Sequence, residues 1–415
     1  MLVFVLSKDG KPLMPCKPAK ARKLLRDGKA KVVKRTPFTI QLNFECENQV
    51  QPVTLGVDTG FKNIGLSAVS NNKKLFSAEV ELRTDIPKLL KEKRMYRRTR
   101  RNKLWYRPAR FLNRGVKKGW LAPSVEHRLD SHIRAINLVK SILPVSEINV
   151  EASAFDIQKI NNPGISGAEY QNGEQKGFWN VREYVLCRDG HKCRFCDGKS
   201  KDKILNVHHI ETRQTGGDRP DNLVVLCETC HKAYHAGKIK LSVKKHKGFK
   251  AETIMSILRW KIVNRLTELG NAVNVTYGYL TKSARIALKL PKSHANDAFC
   301  IAGGDKQEKL NCSYFIKFVR KCNRSLFKAN VLKGGRRKIN TIKRAFGFGR
   351  FDKVSYNGDQ CFIYGLRSSG YFDLRYLHGE KIGASVKYSL LKRIERFKTW
   401  RIALLFHINR RVSEL

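Results

Sequence analysis

Apolar positions along this chain come in short bursts rather than long runs. Met1-Leu2-Val3-Phe4-Val5-Leu6 is cut off by Lys8 and Asp9, too short for a signal peptide, and predicts a first β-strand. Pro12-Leu13-Met14-Pro15 follows, then a basic helix-like stretch around Ala19 to Asp27 and an alternating segment from Lys31 to Leu42. Residues 53–85 predict paired strands: Val53-Thr54-Leu55-Gly56-Val57-Asp58, a glycine turn, then Ile64-Gly65-Leu66-Ser67-Ala68-Val69. Ile133, Ile136, Leu138 and Ile142 mark a helix that leads into a strand, Glu147-Ile148-Asn149-Val150-Glu151. A Gly- and Asn-rich linker at about 161–177 precedes a Cys- and His-rich module ending near Gly237. Helical spacing resumes at about 251–269 and 293–303, and the last hundred residues alternate aromatic, Gly and basic positions, a weak β pattern. There is no internal repeat, and no stretch approaches the roughly 20 apolar residues of a membrane helix.

At 415 residues the chain exceeds one ordinary domain, and 41% apolar residues suffice for packed cores. Lys and Arg number 83 against 35 Asp and Glu, a formal charge of +48. Such an excess repels itself unless a polyanion compensates. The charge is spread along most of the chain, which suits a long phosphate backbone better than acidic lipid or an acidic protein. A basic but catalytically inert histone-like or ribosome-associated protein has the same composition, so the chemistry rests on motifs.

Cys193-x-x-Cys196 and Cys227-x-x-Cys230 have the spacing of two knuckles that clamp one tetrahedral structural zinc. Without a secretion signal, metal binding is the better reading of these pairs than disulfides, and a reducing cytoplasm follows. Between the pairs lie Val207-His208-His209-Ile210, Gly216-Gly217-Asp218 and Asp221-Asn222-Leu223; His231 and His235 follow at i, i+4, stacked on one helix face. A histidine pair on a strand opposite a helical histidine pair resembles the ββα-metal fold of HNH nucleases. The resemblance implies that His209 is the general base, that His208, His231 and His235 hold the metal, and that Asn222 orients the base or joins the metal shell.

Asp58 and Glu151 each end an apolar strand, and His294 and Asp297 lie three apart on one helical face. Together they reproduce an RNase H-like set, in which carboxylates from central strands and one helix converge on two metals about 4 Å apart. Asp58, Glu151 and Asp297 are the candidate ligands and His294 a ligand or proton-transfer partner. Between Lys88 and Lys118 there are 14 Lys or Arg and a single acid, Glu92. Arg94, Arg97, Arg98 and Arg101 share one helix face, and Tyr96, Trp105 and Tyr106 interleave. With so few acids a polyanion is the expected partner.

The order of these motifs, one nuclease set interrupted by another, resembles the IscB family of transposon-associated RNA-guided nucleases, relatives of type II CRISPR effectors. The resemblance covers residues 1 to about 305, with Pro12-Leu13-Met14-Pro15 and the split RuvC around HNH as its most specific features. It implies a multidomain α/β protein. Its parts would be a PLMP domain (1–52), RuvC-I (53–86), an arginine-rich bridge helix (87–118), RuvC-II and linker (119–175), a zinc-stapled HNH domain (176–245), RuvC-III (246–310) and a basic C-terminal domain (311–415). That last stretch carries 24 Lys or Arg and six acids, and its family position implies contact with guide RNA, a target-adjacent motif, or both.

Only about 35 residues separate the basic helix from Glu151, so a structured guide RNA (omega RNA) is expected to do the scaffolding that a recognition lobe does elsewhere. The implied function is RNA-guided cleavage of double-stranded DNA, with Mg2+ or Mn2+ at both sites and a structural Zn2+. HNH would cut the guide-paired strand and RuvC the displaced one. The protein would be a monomer within a ribonucleoprotein, off the membrane, and would act at the nucleoid of a prokaryotic cytoplasm. The competing readings are an unguided HNH homing or restriction-type endonuclease and a catalytically silent nucleic-acid-binding regulator.

Overall fold

A computed structural model describes residues 2–47, 49–71, 73–102, 119–152, 180–210, 220–241, 250–305, 312–320 and 342–406. The chain divides into two compact units, Met1–Ala154 with Ile254–Leu415, and Phe155–Thr253. In chain order the amino-terminal module comprises β1 (Val3–Leu6), β2 (Pro12–Cys16), α1 (Pro18–Arg26), β3 (Ala30–Lys34) and β4 (Thr39–Leu42). The core then begins with β5 (Val53–Asp58), β6 (Asn63–Ser70), β7 (Lys73–Glu81), α2 (Ile86–Asn102), α3 (Pro123–Lys140) and β8 (Glu147–Glu151). The second unit contributes α4 (Val181–Arg188), β9 (Leu205–His209), β10 (Leu223–Cys227) and α5 (Glu228–His235). The core resumes with α6 (Lys250–Glu268), β11 (Ala272–Thr276), α7 (Gly278–Ala287), α8 (His294–Ile301) and β12 (Cys312–Phe318). The carboxy-terminal strands are β13 (Arg344–Ala345), β14 (Phe348–Gly349), β15 (Lys353–Tyr356), β16 (Asp359–Gly365), β17 (Tyr371–Arg375), β18 (Lys381–Lys387), β19 (Lys392–Glu395) and β20 (Trp400–Phe406).

A seven-stranded sheet in the order β11-β8-β5-β6-β7-β12-β20 organises the first unit. β6 runs antiparallel to both β5 and β7, whereas β8 and β11 lie parallel to β5 and to each other, and β12 lies parallel to β7. Alternation along each strand assigns its two faces. Val53, Leu55 and Val57 of β5, Ile64, Leu66 and Ala68 of β6, and Ile148 and Val150 of β8 share the main core with Leu129, Ile133 and Ile136 of α3 and Leu258, Ile262 and Leu266 of α6. The intervening residues face α8 on the other side. There Asn149 Nδ2 donates to the Ile301 carbonyl (3.0 Å), and Val69 packs against Phe299. Pro at the first helical position and Glu126 in the first turn suit the start of α3, and the Ser293 hydroxyl caps α8 by accepting from Asn296 N (3.2 Å).

Two glycines allow α8 to lie directly on the sheet. A Cβ at Gly56 would collide with the Ala298 carbonyl and Ala302 N, and one at Gly65 with the His294 carbonyl. Those neighbours are backbone and cannot swing aside. Both glycines lie on the face that carries Asp58, and Gly65 pairs with Asp58 across the β5–β6 ladder. The strands β12 and β20, on either side of a five-stranded sheet (β18-β17-β16-β15-β19), belong to the core sheet beyond β7. The five-stranded sheet has its own core of Val354, Cys361, Ile363, Phe372 and Leu374. Among the described residues no helix is long and apolar enough to cross a membrane.

The tight fit predicts that Gly65→Ala costs about 1–3 kcal/mol through overpacking. A thermal melt of the full chain measures the loss. An unchanged melting temperature would mean that α8 has room to lift off the sheet.

Candidate functional site

The strand-end acids meet on the α8 face of the core sheet. Asp58 and Glu151 are both buried, at the ends of adjacent parallel strands in which Val57 pairs with Val150. Thr59 Oγ1 donates to the Glu151 carbonyl (2.8 Å), which ties the loop after β5 to the end of β8. His294, at the first turn of α8, donates from Nδ1 to Asp58 Oδ2 at 2.6 Å across 236 residues of sequence. That hydrogen bond raises the His294 pKa above the ordinary imidazole value, against an opposing contribution from burial. The Asp297 carboxyl is also raised, first by burial and then by the negative charge of Asp58. Arg285 of α7 lies against it, with Nε 2.8 Å from Asp297 Oδ1 as an ion pair that lacks hydrogen-bond geometry.

All four sequence-predicted residues of this site thus gather around one end of β5. Asp58, Glu151 and Asp297 do not, however, close into a single knot: the described residues contain two sets of three or more ligand atoms within 4.8 Å of one another, and both lie in the other unit. A pair of metals spans more than one ion's coordination shell, so its outer ligands need not touch. The oxygen donors suit a hard divalent cation, with His294 and Arg285 holding the negative charge meanwhile. Two residues here gave no sign in the sequence. Arg285 pairs with Asp297 only through the packing of α7 on α8. His132 of α3 is fully buried; its Nδ1 donates to the Arg128 carbonyl (2.8 Å), Nε2 has no hydrogen-bond partner, and burial lowers its pKa to about 4.

In the second unit β9 and β10 form an antiparallel ribbon with His208 opposite Val224 and His209 opposite Leu223. His208 therefore shares a face with Val224 and Leu226, which pack with the cysteines, whereas Val207, Leu223 and Val225 pack with Val185 and Leu186 of α4. His231 and His235 stand one turn apart on α5, their Nε2 atoms 3.3 Å apart, and both rings lie 5.1 Å from that of His208. The three imidazoles bring one nitrogen each within 4.8 Å of the others. His208 Nε2 is buried without a hydrogen-bond partner, and its pKa falls to about 4, first by burial and then by the neighbouring histidines. Three imidazoles that bring one nitrogen each so close together, one of them orphaned, are a donor set for a divalent metal. His209 lines the same cleft with Val207, Ile210 and Tyr234; the sequence reading passed over Tyr234, whose spacing from His231 and His235 carries no separate signal. Asn222 is buried at the turn before β10, where its carbonyl accepts from Ile210 N (2.8 Å). Arg188 pins that turn through the Pro220 and Leu223 carbonyls, at 2.7 and 2.9 Å.

Beside this cleft Cys193, Cys196, Cys227 and Cys230 place their sulfurs within 4.8 Å of one another, and the described cysteines are all free thiols. Ser200 Oγ donates to Cys227 Sγ (3.1 Å) and accepts from Cys196 Sγ (3.3 Å). Hydrogen bonding to Ser200 draws the Cys196 thiol down to about 6, whereas burial beside the other sulfurs pushes Cys230 up. Four sulfurs packed this closely cannot all ionise without a cation among them, and the cluster is compatible with a structural zinc.

On α2 the side chains of Arg94, Arg97, Arg98 and Arg101 are exposed, and none has an acidic partner among the described residues. Trp105, Lys103 and Tyr106 lie outside the described residues, as does Gly216-Gly217-Asp218.

Comparison with known proteins gives two family matches. Residues 193–237 match the HNH endonuclease family, and residues 3–173 match the family described as RRXRR protein. The latter's signature is present literally as Arg97-Arg98-Thr99-Arg100-Arg101. No curated protein matches. Among solved structures, the chain is similar to Streptococcus thermophilus Cas9 in complex with AGGA PAM, at 14% identity and TM-score 0.28, over 44% of this chain and 26% of that one. Crystal structures of the same protein with AGAA PAM (14%, TM-score 0.29) and GGAA PAM (17%, TM-score 0.29) match over 44% and 45% of this chain. The chain thus spans about a quarter of the length of those proteins. It carries an HNH endonuclease domain and an RRXRR region.

The purified chain is predicted to hold one tightly bound zinc per molecule by elemental analysis, falling below half in Cys227→Ser. Full zinc content in that variant would show that the four sulfurs are not its ligands.

Proposed function

We propose that this protein is an RNA-guided DNA endonuclease of the IscB type, with an HNH site and a RuvC site that each cut one strand. The observation that carries the reading is the Asp58–His294 contact, which joins sequence on both sides of the HNH match into one acid cluster. An unrelated HNH enzyme with an incidental α/β neighbour has no reason to bury two acids at strand ends and bring a helical His and Asp against them. The order of the sheet supports the RNase H-like assignment: three antiparallel strands, then two parallel to the first, with the acids at the ends of β5 and β8.

At the HNH site His208, His231 and His235 would hold the cation, and at the RuvC site Asp58, Glu151 and Asp297 would do so. When bound, a divalent cation supplies charge stabilisation for the phosphate and the leaving oxygen. His209 takes the proton from the attacking water at an imidazole nitrogen, and Asn222 orients that imidazole. Water oxygen bonds to phosphorus, the bond from phosphorus to the ester oxygen breaks, and that oxygen leaves with a proton. At the RuvC site His294 holds or moves a proton next to Asp58. The exposed arginines of α2, the RRXRR match and the +48 charge support a structured guide RNA as resident partner. Base pairing would then select double-stranded target DNA, and the carboxy-terminal module would contact the guide, a target-adjacent motif, or both. The site of action would be the nucleoid in a prokaryotic cytoplasm.

One observation favours a second reading. The three acids do not form a compact ligand set, as fits an unguided HNH endonuclease whose RuvC-like acids are structural. Strand-resolved cleavage separates the two. Asp58→Ala is predicted to leave an enzyme that nicks one strand of a matched duplex, and His209→Ala one that nicks the other. Asp58→Ala cutting both strands at the wild-type rate would show the RuvC-like acids to be structural, and cutting that also needs no RNA would establish the second reading.

A further inference from the structure

The helix α7 begins against the RuvC-like acids. β11 runs parallel to β8 with Thr276 paired to Glu151, so Tyr277 leaves the sheet one residue past that carboxylate. Tyr277 caps α7, and Gly278 follows at its start. A Cβ at Gly278 would lie 3.1 Å from Glu151 Oε1, so the backbone passes directly over the acid there. On either side of that glycine, Tyr277 and Tyr279 stand out into solvent, 41% and 68% exposed. Their rings are 6.2 Å apart and inclined by only 9°.

Neither ring joins a buried cluster, although each has apolar area enough to make burial favourable. Leu280 and Ile286 of the same helix are also exposed, at 47% and 59%. From Gly278 to Lys292 there is no acid, and the cations are Lys282, Arg285, Lys289 and Lys292. Arg285 is taken up by Asp297, whose charge Lys292 also feels, whereas Lys282 and Lys289 are exposed with no acidic partner among the described residues. The surface therefore offers two parallel π faces, flanking apolar area and uncompensated positive charge, next to buried carboxylates.

A polyanion with open aromatic faces matches all of these features. Duplex DNA does not qualify, because its base faces are stacked on one another and only groove edges and phosphates are presented. An apolar protein helix would cover Leu280 and Ile286 but would leave the lysines unanswered. We propose that Tyr277 and Tyr279 form a stacking ledge for unpaired bases of the single DNA strand that enters the Asp58–Glu151–Asp297 site. This rests on the two-site reading above and deepens it. The ledge holds the strand by base stacking, which is indifferent to sequence, and Lys282 and Lys289 meet its phosphates. These tyrosines position the strand and take no part in the chemistry.

The test uses the full chain with no added Mg2+ or Mn2+, so that no cutting occurs and any structural zinc stays in place, with a short single-stranded oligonucleotide carrying 5-iodouracil. Illumination is expected to place the cross-link on the peptide that contains Tyr277 and Tyr279. Unlabelled single strand should compete, and the same sequence as duplex should compete at least about fivefold less well. Tyr277→Leu with Tyr279→Leu keeps apolar bulk and should lose about fivefold or more of the cross-link per ring, whereas the double change to Phe keeps it. A melting curve for each variant separates lost binding from lost folding. Cross-links that all fall elsewhere, or equal competition by duplex, would overturn the ledge. Failure of the two-site reading shows separately, as cutting of both strands by Asp58→Ala.

Discussion

The close seat of α8 on β5 and β6 is the contact on which the larger unit depends. Gly56 and Gly65 remove the side chains that would hold the helix away, so that backbone meets backbone across the sheet face. Only at that separation does His294 reach Asp58 at 2.6 Å and Asp297 come near enough to feel its charge. The arrangement is costly in electrostatic terms. Two carboxylates are drawn together in a partly desolvated place, and the raised pKa of Asp297 reflects the strain. His294 and Arg285 answer the charge from α8 and α7.

The smaller unit solves a different problem. Among its described residues the buried apolar side chains are few, drawn mainly from α4 and β10 with the cysteines, and so small a core seldom folds alone. Four sulfurs gathered at the start of α5 are compatible with a structural zinc that would supply the missing staple. The same helix then carries His231 and His235 toward His208. The cysteine cluster and the histidine cluster therefore share one short helix.

Much of this was legible in the chain. Period-two alternation in Val53–Asp58 and Glu147–Glu151 marked the strands, and because acids close those runs, it marked Asp58 and Glu151, which the fold sets at adjacent strand ends. The Cys-x-x-Cys pairs and the His231–His235 spacing were legible for the same reason: chemistry confined to neighbours leaves a local pattern. The structure brings together Cys193, Cys196, Cys227 and Cys230, and likewise His208, His231 and His235. What could not be read was set by packing between distant segments. Nothing near Arg285 foretells Asp297, and His132 looks like one more position on an amphipathic helix. β12 and β20 sit at either end of a stretch that reads as uniformly basic and aromatic, yet they extend the core sheet because Ile316 and Ile402 join the main core. Tyr277 and Tyr279 carry meaning only once β11 is known to end beside Glu151.

In the proposed function, base pairing by a resident RNA chooses the target. The decisive experiment is to express the gene with its flanking DNA, purify the protein and sequence the nucleic acid that accompanies it. One structured RNA encoded beside the gene, required for cleavage and setting where it occurs, is the expected result. Heterogeneous cellular RNA, together with metal-dependent DNA cutting that proceeds without any of it, would overturn the guided reading.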